Sequence, residues 1–428
     1  MASLARCIIP LGILCFGIAA ENIVISPVES LSSCTTASGE RGYCVYQYQC
    51  FEGTISTSGE NIIDIRQALD DCHDPLLECC AEPSTSPTDD SNEATNATFT
   101  PVSGEEDTAN VVVPVPSFPT TPRSTSGSHR PAINIPPYDL EGCGHRNPNG
   151  VIFTIENNQF SESEYGEYPW TVAIFARQKD HSLRYLCGGA LIERAAVLTT
   201  ANCLFPYRFD VSSLVVRMGE WDMSTTREPI PHVDSEMEKI HLHPHYGMTS
   251  KINDIAIVIL RDTIDLNHTI GLVCLPPAND IPHGAELVGV GWGDVPNFVE
   301  PPKLPRTILK KAHLRHLHHD LCQKTLHKLM GRRYLLHDSF LCAEAQSPEM
   351  LPCRGDTGSP YVKEIENGND RYYLMGLSSW GYDCNMQRMP TVLTNVAYHR
   401  NWIDEVIKSE HLSTWSYTYE LSIPNDEE

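Results

Sequence analysis

Apolar residues recur along this chain in three patterns, and each predicts a different kind of element. The first is an unbroken run, Cys7 to Ala19, preceded by Arg6 and followed by the small residue Ala20. It is too short for a bilayer span, so it reads as a secretory leader, residues 1–20, cleaved near Ala20. No later stretch reaches about 18 uninterrupted apolar residues, so no membrane span is expected and the mature chain is expected outside the cell. The second pattern is short and strand-like: Trp170-Thr171-Val172-Ala173-Ile174-Phe175 and Ile255 to Leu260. The third is helical, with Trp402, Ile403, Val406 and Ile407 sharing one face. From residue 81 to 142 no period survives. Pro, Ser and Thr dominate there, around Val111-Val112-Val113-Pro114-Val115-Pro116, and predict an extended linker.

Composition sharpens this. A chain of 428 residues with 31 prolines should hold more than one domain. Its formal charge of -24 argues against nucleic acid as a partner. Of 16 cysteines, Cys7 and Cys15 lie in the leader; the remaining even number, in an oxidising compartment, reads as a set of disulfides. Zinc is the alternative, but the adjacent pair Cys79-Cys80 suits a disulfide scaffold better, and no metal or cofactor is expected. Cys34, Cys44, Cys50, Cys72, Cys79 and Cys80 crowd residues 34–80, where spacing alone leaves the pairing open. So small a segment builds little core, so the bridges carry its stability. Tyr43, Tyr46, Tyr48 and Phe51 cluster there, as ordinary packing or as a partner groove.

Several local signals remain. Asn96-Ala97-Thr98 and Asn267-His268-Thr269 are glycosylation sequons. The linker's basic residues are Arg123 and Arg130. Pro131 shields Arg130, so Arg123-Ser124 is the bond an upstream protease would cut, leaving the N-terminal domain free. Residues 303–337 are basic: Lys303, Arg306, Lys310, Lys311, Arg315, Lys324, Lys328, Arg332 and Arg333 face one acid, Asp320. His313, His316, His318, His319, His327 and His337 lie among them without a rigid metal-binding pair. This is either a patch for acidic partners or a solvated face. From Ser413 the tail to Asp426-Glu427-Glu428 is expected to be exposed and acidic.

The chemistry turns on Leu351 to Pro360, LPCRGDTGSP. This resembles the nucleophile loop of the trypsin/chymotrypsin family, C-x-G-D-S-G-G-P, with Thr357 at the serine position and Ser359 for a glycine. Leu198-Thr199-Thr200-Ala201-Asn202-Cys203 resembles the family's L-T-A-A-H-C, with Asn202 at the histidine position, and Asn253-Asp254-Ile255-Ala256 matches the aspartate segment. Further landmarks are Cys187-Gly188-Gly189-Ala190, Gly291-Trp292-Gly293 and Ser379-Trp380-Gly381, so the resemblance covers residues 143–410. It implies an all-β fold of two packed Greek-key barrels with the site between them. An asparagine amide has no useful basicity, and Thr357 then has nothing to activate it. The Asn202 amide could donate to Asp254 and keep that carboxylate paired. Leu351 falls at the base of the specificity pocket, and Thr391 falls where a family glycine keeps the pocket open. Asp356 is present, but no basic residue precedes an activation start like the family's Ile-Val-Gly-Gly.

The cysteine spacing of residues 34–80, with Ile63-Asp64-Ile65-Arg66 inside it, resembles the clip domain of arthropod proteases. That resemblance implies the pairs Cys34–Cys79, Cys44–Cys72 and Cys50–Cys80. The protease resemblance implies Cys187–Cys203, Cys322–Cys342, Cys353–Cys384 and Cys143–Cys274, which together use every cysteine outside the leader. Cys143 to Gly150 resembles the non-catalytic A subfamily of clip-domain homologues, also called masquerade-like. The family implies a cofactor or regulator of the protease cascade that activates prophenoloxidase, with cascade proteases, prophenoloxidase or other clip-domain proteins as partners. Two rival readings are a weak protease using Thr357 and an antagonist or microbial-surface recognition protein.

Overall fold

The computed structural model describes residues 32–36, 39–46, 50–51, 54–55, 62–63, 72, 77–81, 138, 140–155, 158, 161–293, 307–346, 356–381 and 390–419. The expected leader, most of the expected linker and the extreme C-terminus lie outside them, and with them Asn96, Arg123, Leu351, Cys353 and Cys384. None of the described helices is long and apolar enough to cross a membrane.

The N-terminal region contributes β1 (Ser33–Thr35), β2 (Arg41–Tyr46), β3 (Cys50–Phe51), β4 (Thr54–Ile55), β5 (Ile62–Ile63) and β6 (Leu77–Ala81). Five of these form one sheet in the order β1-β2-β6-β4-β3. Cys34–Cys79, Cys44–Cys72 and Cys50–Cys80 cross-link it, with Cα–Cα distances of 5.8, 5.5 and 5.8 Å. Cys34–Cys79 spans β1 to β6 across β2, Cys50–Cys80 spans β3 to β6 across β4, and Cys44–Cys72 ties β2 to a turn, so the bridges hold a segment with little apolar area folded.

β7 (Thr154–Ile155) leads into two closed antiparallel barrels. The first is built from β8 (Thr171–Arg177), β9 (Leu183–Glu193), β10 (Ala196–Thr199), β11 (Leu214–Met218), β12 (Val233–Leu242) and β13 (Ala256–Leu260). The second is built from β14 (Glu286–Gly291), β15 (Lys310–Leu317), β16 (Phe340–Ala345), β17 (Pro360–Glu364), β18 (Tyr372–Trp380) and β19 (Thr391–Asn395). The helices are α1 (Ala201–Leu204), α2 (His319–Met330) and α3 (Val396–Ser409).

The strand-like runs turn out buried on both faces, because alternate residues serve two cores. On β8, Val172, Ile174 and Ala176 join one apolar cluster while Ala173 and Phe175 join another. On β13, Val258 and Leu260 divide from Ile257 and Ile259 in the same way. α3 starts where the Asn395 side chain accepts the Tyr398 N–H, and it buries Ile403 and Ile407 completely, with Trp402 and Val406 at the edge.

Two expectations change. The tail is not simply exposed after Ser413: Tyr417 is fully buried, its carbonyl accepts the Leu275 N–H at 2.8 Å, and its hydroxyl donates to Asp404 at 2.8 Å. An aromatic body with one polar tip lets this segment close the domain before the acidic end begins. Nor is the N-terminal region a separate bead. β5 pairs in parallel with β7, Ile62 opposite Thr154 and Ile63 opposite Ile155. Cys34, Cys44, Leu77 and Cys79 belong to the same buried cluster as Phe153, Ile155, Tyr165 and Trp221. A linker cut alone would not free the N-terminal domain, because these contacts do not run through the linker.

Candidate active-site cleft

Asp254 lies between the barrels, just before β13, with no exposed surface. Its Oδ1 accepts the backbone N–H of Asn202 at 2.6 Å, and its Oδ2 accepts the hydroxyl of Ser379 on β18 at 2.6 Å. Thr394 on β19 donates to its carbonyl at 2.7 Å. Burial pushes the carboxyl up to about 6, against the opposing pull of Ser379, the Asn202 N–H and the nearby Lys251 ammonium. Donors from both barrels therefore hold the aspartate, so the cleft's geometry persists without an imidazole.

Asn202 is the second residue of α1 and does not use its side chain as expected. Its Oδ1 accepts from Lys251 Nζ at 2.6 Å, so the oxygen faces the ammonium and the amide does not donate to Asp254. Lys251 also reaches the Tyr246 hydroxyl at 3.5 Å. Lys251 and Asn253 have φ of 58° and 56°, a left-handed backbone that side chains rarely adopt. It is held by Asn253 Nδ2 donating to the His245 carbonyl at 3.0 Å and the Asn253 N–H donating to Ser339 Oγ at 3.1 Å. Nothing in the sequence pattern signals Lys251, because its partner is 49 residues away across a loop.

Thr357 is half-buried, and its carbonyl accepts the Gly188 N–H at 2.9 Å. Among the described residues no hydrogen bond joins its hydroxyl to Asn202, Lys251 or any base. Ser359 fits because glycines face it: a Cβ on Gly188 or Gly291 would come within 2.7 and 2.5 Å of its Oγ. The Asp356 carboxylate accepts the Gly293 N–H at 3.1 Å. Thr391 is buried at the start of β19; its supposed neighbour Leu351 and the Cys353–Cys384 pair lie outside the described residues. Cys187–Cys203, Cys322–Cys342 and Cys143–Cys274 are bonded, with Cα–Cα distances of 6.3, 6.2 and 4.9 Å.

The Cys143–Gly150 motif is fastened into the domain. Gly144 has φ 83°, and a Cβ there would collide with the Tyr372 backbone at 2.7 Å. Arg146 donates to the buried Glu167 at 2.6 and 3.0 Å and to the Tyr372 hydroxyl at 3.1 Å, with the Tyr168 ring 5.5 Å away. Lys311 donates to the same Glu167 at 2.9 and 3.1 Å. Asn147 Nδ2 donates to the carbonyls of Gly166 and His268 at 2.8 and 2.9 Å. Asn267 is half-buried, with its Oδ1 accepting from Thr269 N and Oγ1 at 2.8 and 2.9 Å.

The structure also assembles a group that no motif in the sequence announces. Glu220, Glu228 and His232 bring potential ligand atoms within 4.8 Å of one another. His232 Nδ1 lies 3.0 Å from Glu220 and 3.7 Å from Glu228. Burial alone would lower this imidazole, but the neighbouring carboxylates of Glu220 and Glu228 push it up to about 9.

Comparison with known proteins agrees with this architecture. The family model described as Trypsin matches residues 158–403, and that described as Serine protease Clip domain PPAF-2 matches residues 32–81. Phenoloxidase-activating factor 2 of Galleria mellonella is 35% identical over 288 residues, 65% of this chain and 93% of that protein. Inactive CLIP domain-containing serine proteases A28 and A8 of Anopheles gambiae are 31% and 30% identical, covering 87% and 86% of this chain and 90% and 89% of theirs. The chain belongs to the trypsin family, among the clip-domain serine protease homologues.

Proposed function

We propose that this is a secreted clip-domain protein without peptidase activity, a cofactor in the protease cascade that activates prophenoloxidase. The observation that carries it is the cleft. The position that should hold a base holds the Asn202 amide, whose oxygen is occupied by Lys251 at 2.6 Å, and among the described residues no proton acceptor bonds to the Thr357 hydroxyl. Thr391, buried at the start of β19, and Leu351 are both expected to narrow the pocket behind it. The names of relatives, phenoloxidase-activating factor and inactive CLIP domain-containing serine protease, support the cofactor role. Its partners would be a cascade protease and prophenoloxidase or another clip-domain protein. Asn96 and Asn267 would carry glycans.

Processing at Arg123 would be the switch. Two other arginines are poorly placed as bait: Arg146 is clamped by Glu167, and Arg41 sits on β2, a strand paired on both sides. Because β5 and β7 pair, the cut would loosen the N-terminal domain rather than detach it.

Reconstitution tests both points. The purified protein is added to an activating clip-domain protease and prophenoloxidase, and phenoloxidase activity is measured. Activity should rise with the native protein and stay at baseline with Arg123→Ala, which should also remain uncut. A fall in activity would favour the antagonist reading, and normal processing of Arg123→Ala would overturn the proposed switch.

A further inference from the structure

The described part of the basic run, residues 307–337, does not form one surface. On β15, Lys311 is committed to Glu167, and Lys310 donates to the Gly293 carbonyl at 3.3 Å. The cations that remain together are on α2 and the turn after it: Lys324, Lys328, Arg332 and Arg333. All four are exposed, and among the described residues none makes an ion pair. Elsewhere on the domain arginines are held: Arg194 by Asp265 at 2.5 Å, Arg217 by Asp234 at 2.7 Å and Arg400 by Asp404 at 2.9 Å.

Unpaired surface cations alone describe many solvated faces. This one also exposes apolar area: Leu321, Met330 and Leu335 are 52%, 45% and 77% exposed. It is rigid as well. Cys322 bonds to Cys342 on β16, and Leu326 is buried beneath the helix. Gln323 Nε2 donates to the Tyr334 carbonyl at 3.0 Å, and its Oε1 accepts the Leu336 N–H at 2.6 Å. The His327 ring meets the same Tyr334 carbonyl at 2.8 Å, so helix and turn move as one piece. A surface already held in place loses little conformational entropy when it binds.

We propose that α2 and its following turn are a docking surface for an acidic protein segment that carries apolar side chains between its carboxylates. The charges define the sign of the partner. A chain of net charge -24 repels an acidic ligand over most of its surface, and this patch draws it in. The apolar residues define its class: a sulfated polysaccharide would answer the cations and leave Leu321 and Leu335 in water, whereas a protein segment covers both. Tyr334 packs edge-on against Trp380, ring centroids 6.1 Å apart, so the surface borders the cleft. It does not depend on the cleft being silent.

The test uses the full chain and a fluorescein-labelled peptide of Asp and Glu interrupted by two leucines, read by anisotropy. A sulfated polysaccharide is titrated in parallel. Saturable peptide binding should weaken by about tenfold or more in Lys324→Glu/Lys328→Glu/Arg332→Glu/Arg333→Glu. It should also weaken between 50 and 300 mM NaCl as screening lengths shorten. Leu321→Ser/Leu335→Ser should weaken the peptide by about threefold or more and leave the polysaccharide unchanged. Melting curves confirm that both exposed variants fold. Absent binding by the native chain, or binding indifferent to charge reversal, would overturn the proposal. Equal peptide affinity in the leucine variant would mark a general polyanion surface and overturn it too.

Discussion

Asp254 keeps two donors and a fully buried position with no imidazole to orient. Its folded-state value of about 6 lies above the ordinary 3.8, so the ionised carboxylate subtracts stability at neutral pH. As pH falls through about 6, the native carboxyl takes up its proton and the penalty fades toward 3.8. Asp254→Asn should therefore raise stability at pH 7.5 by about 1–3 kcal/mol, since each tenfold change in proton affinity is worth about 1.4 kcal/mol. The gain should shrink between pH 6 and 4 in urea melts; a loss of stability at pH 7.5, or a gain that persists at pH 4, would contradict this reading. Asn202 and Thr357 stand out in the sequence because they interrupt strings of neighbours that resemble the family's. Lys251 does not, since its role comes from a left-handed loop that brings it to Asn202 in three dimensions.

At the scale of elements, the strands around residues 171–176 and 256–260 could be read from short continuous apolar runs, because both of their faces are buried, and α3 from a one-face helical period. The folded end around Tyr417 could not: one aromatic and a few hydrogen bonds leave no period to detect. The Cys143–Gly150 segment was legible as a motif but not as a clamp. Its key partner, Glu167, is buried with Arg146 and Lys311 on it and with the Glu164 N–H donating at 2.7 Å. Glu167→Gln would leave two cations facing a neutral amide, and breaking such a buried group costs about 3–5 kcal/mol. Because Arg146 and Lys311 are 21% and 20% exposed and can reach water, a loss of about 2–4 kcal/mol is expected, measured by chemical denaturation. A change under about 0.5 kcal/mol would show that the motif is held by Cys143–Cys274 instead.

For the whole molecule, two barrels, a bridged N-terminal sheet and a shared core cluster make a scaffold in which the cleft is one feature among several surfaces. The pairing of β5 with β7 was invisible in the sequence, since two residues of parallel strand carry no period. The central claim is that this scaffold cleaves nothing. The most direct measurement is fluorophosphonate labelling of the intact and the linker-cleaved protein, with chromogenic peptide hydrolysis alongside. Neither form should label or turn over substrate, and Asn202→His/Thr357→Ser should remain a poor enzyme, because Thr391 and the missing activation start are unchanged. Labelling of the native protein that disappears in Thr357→Ala would contradict the account.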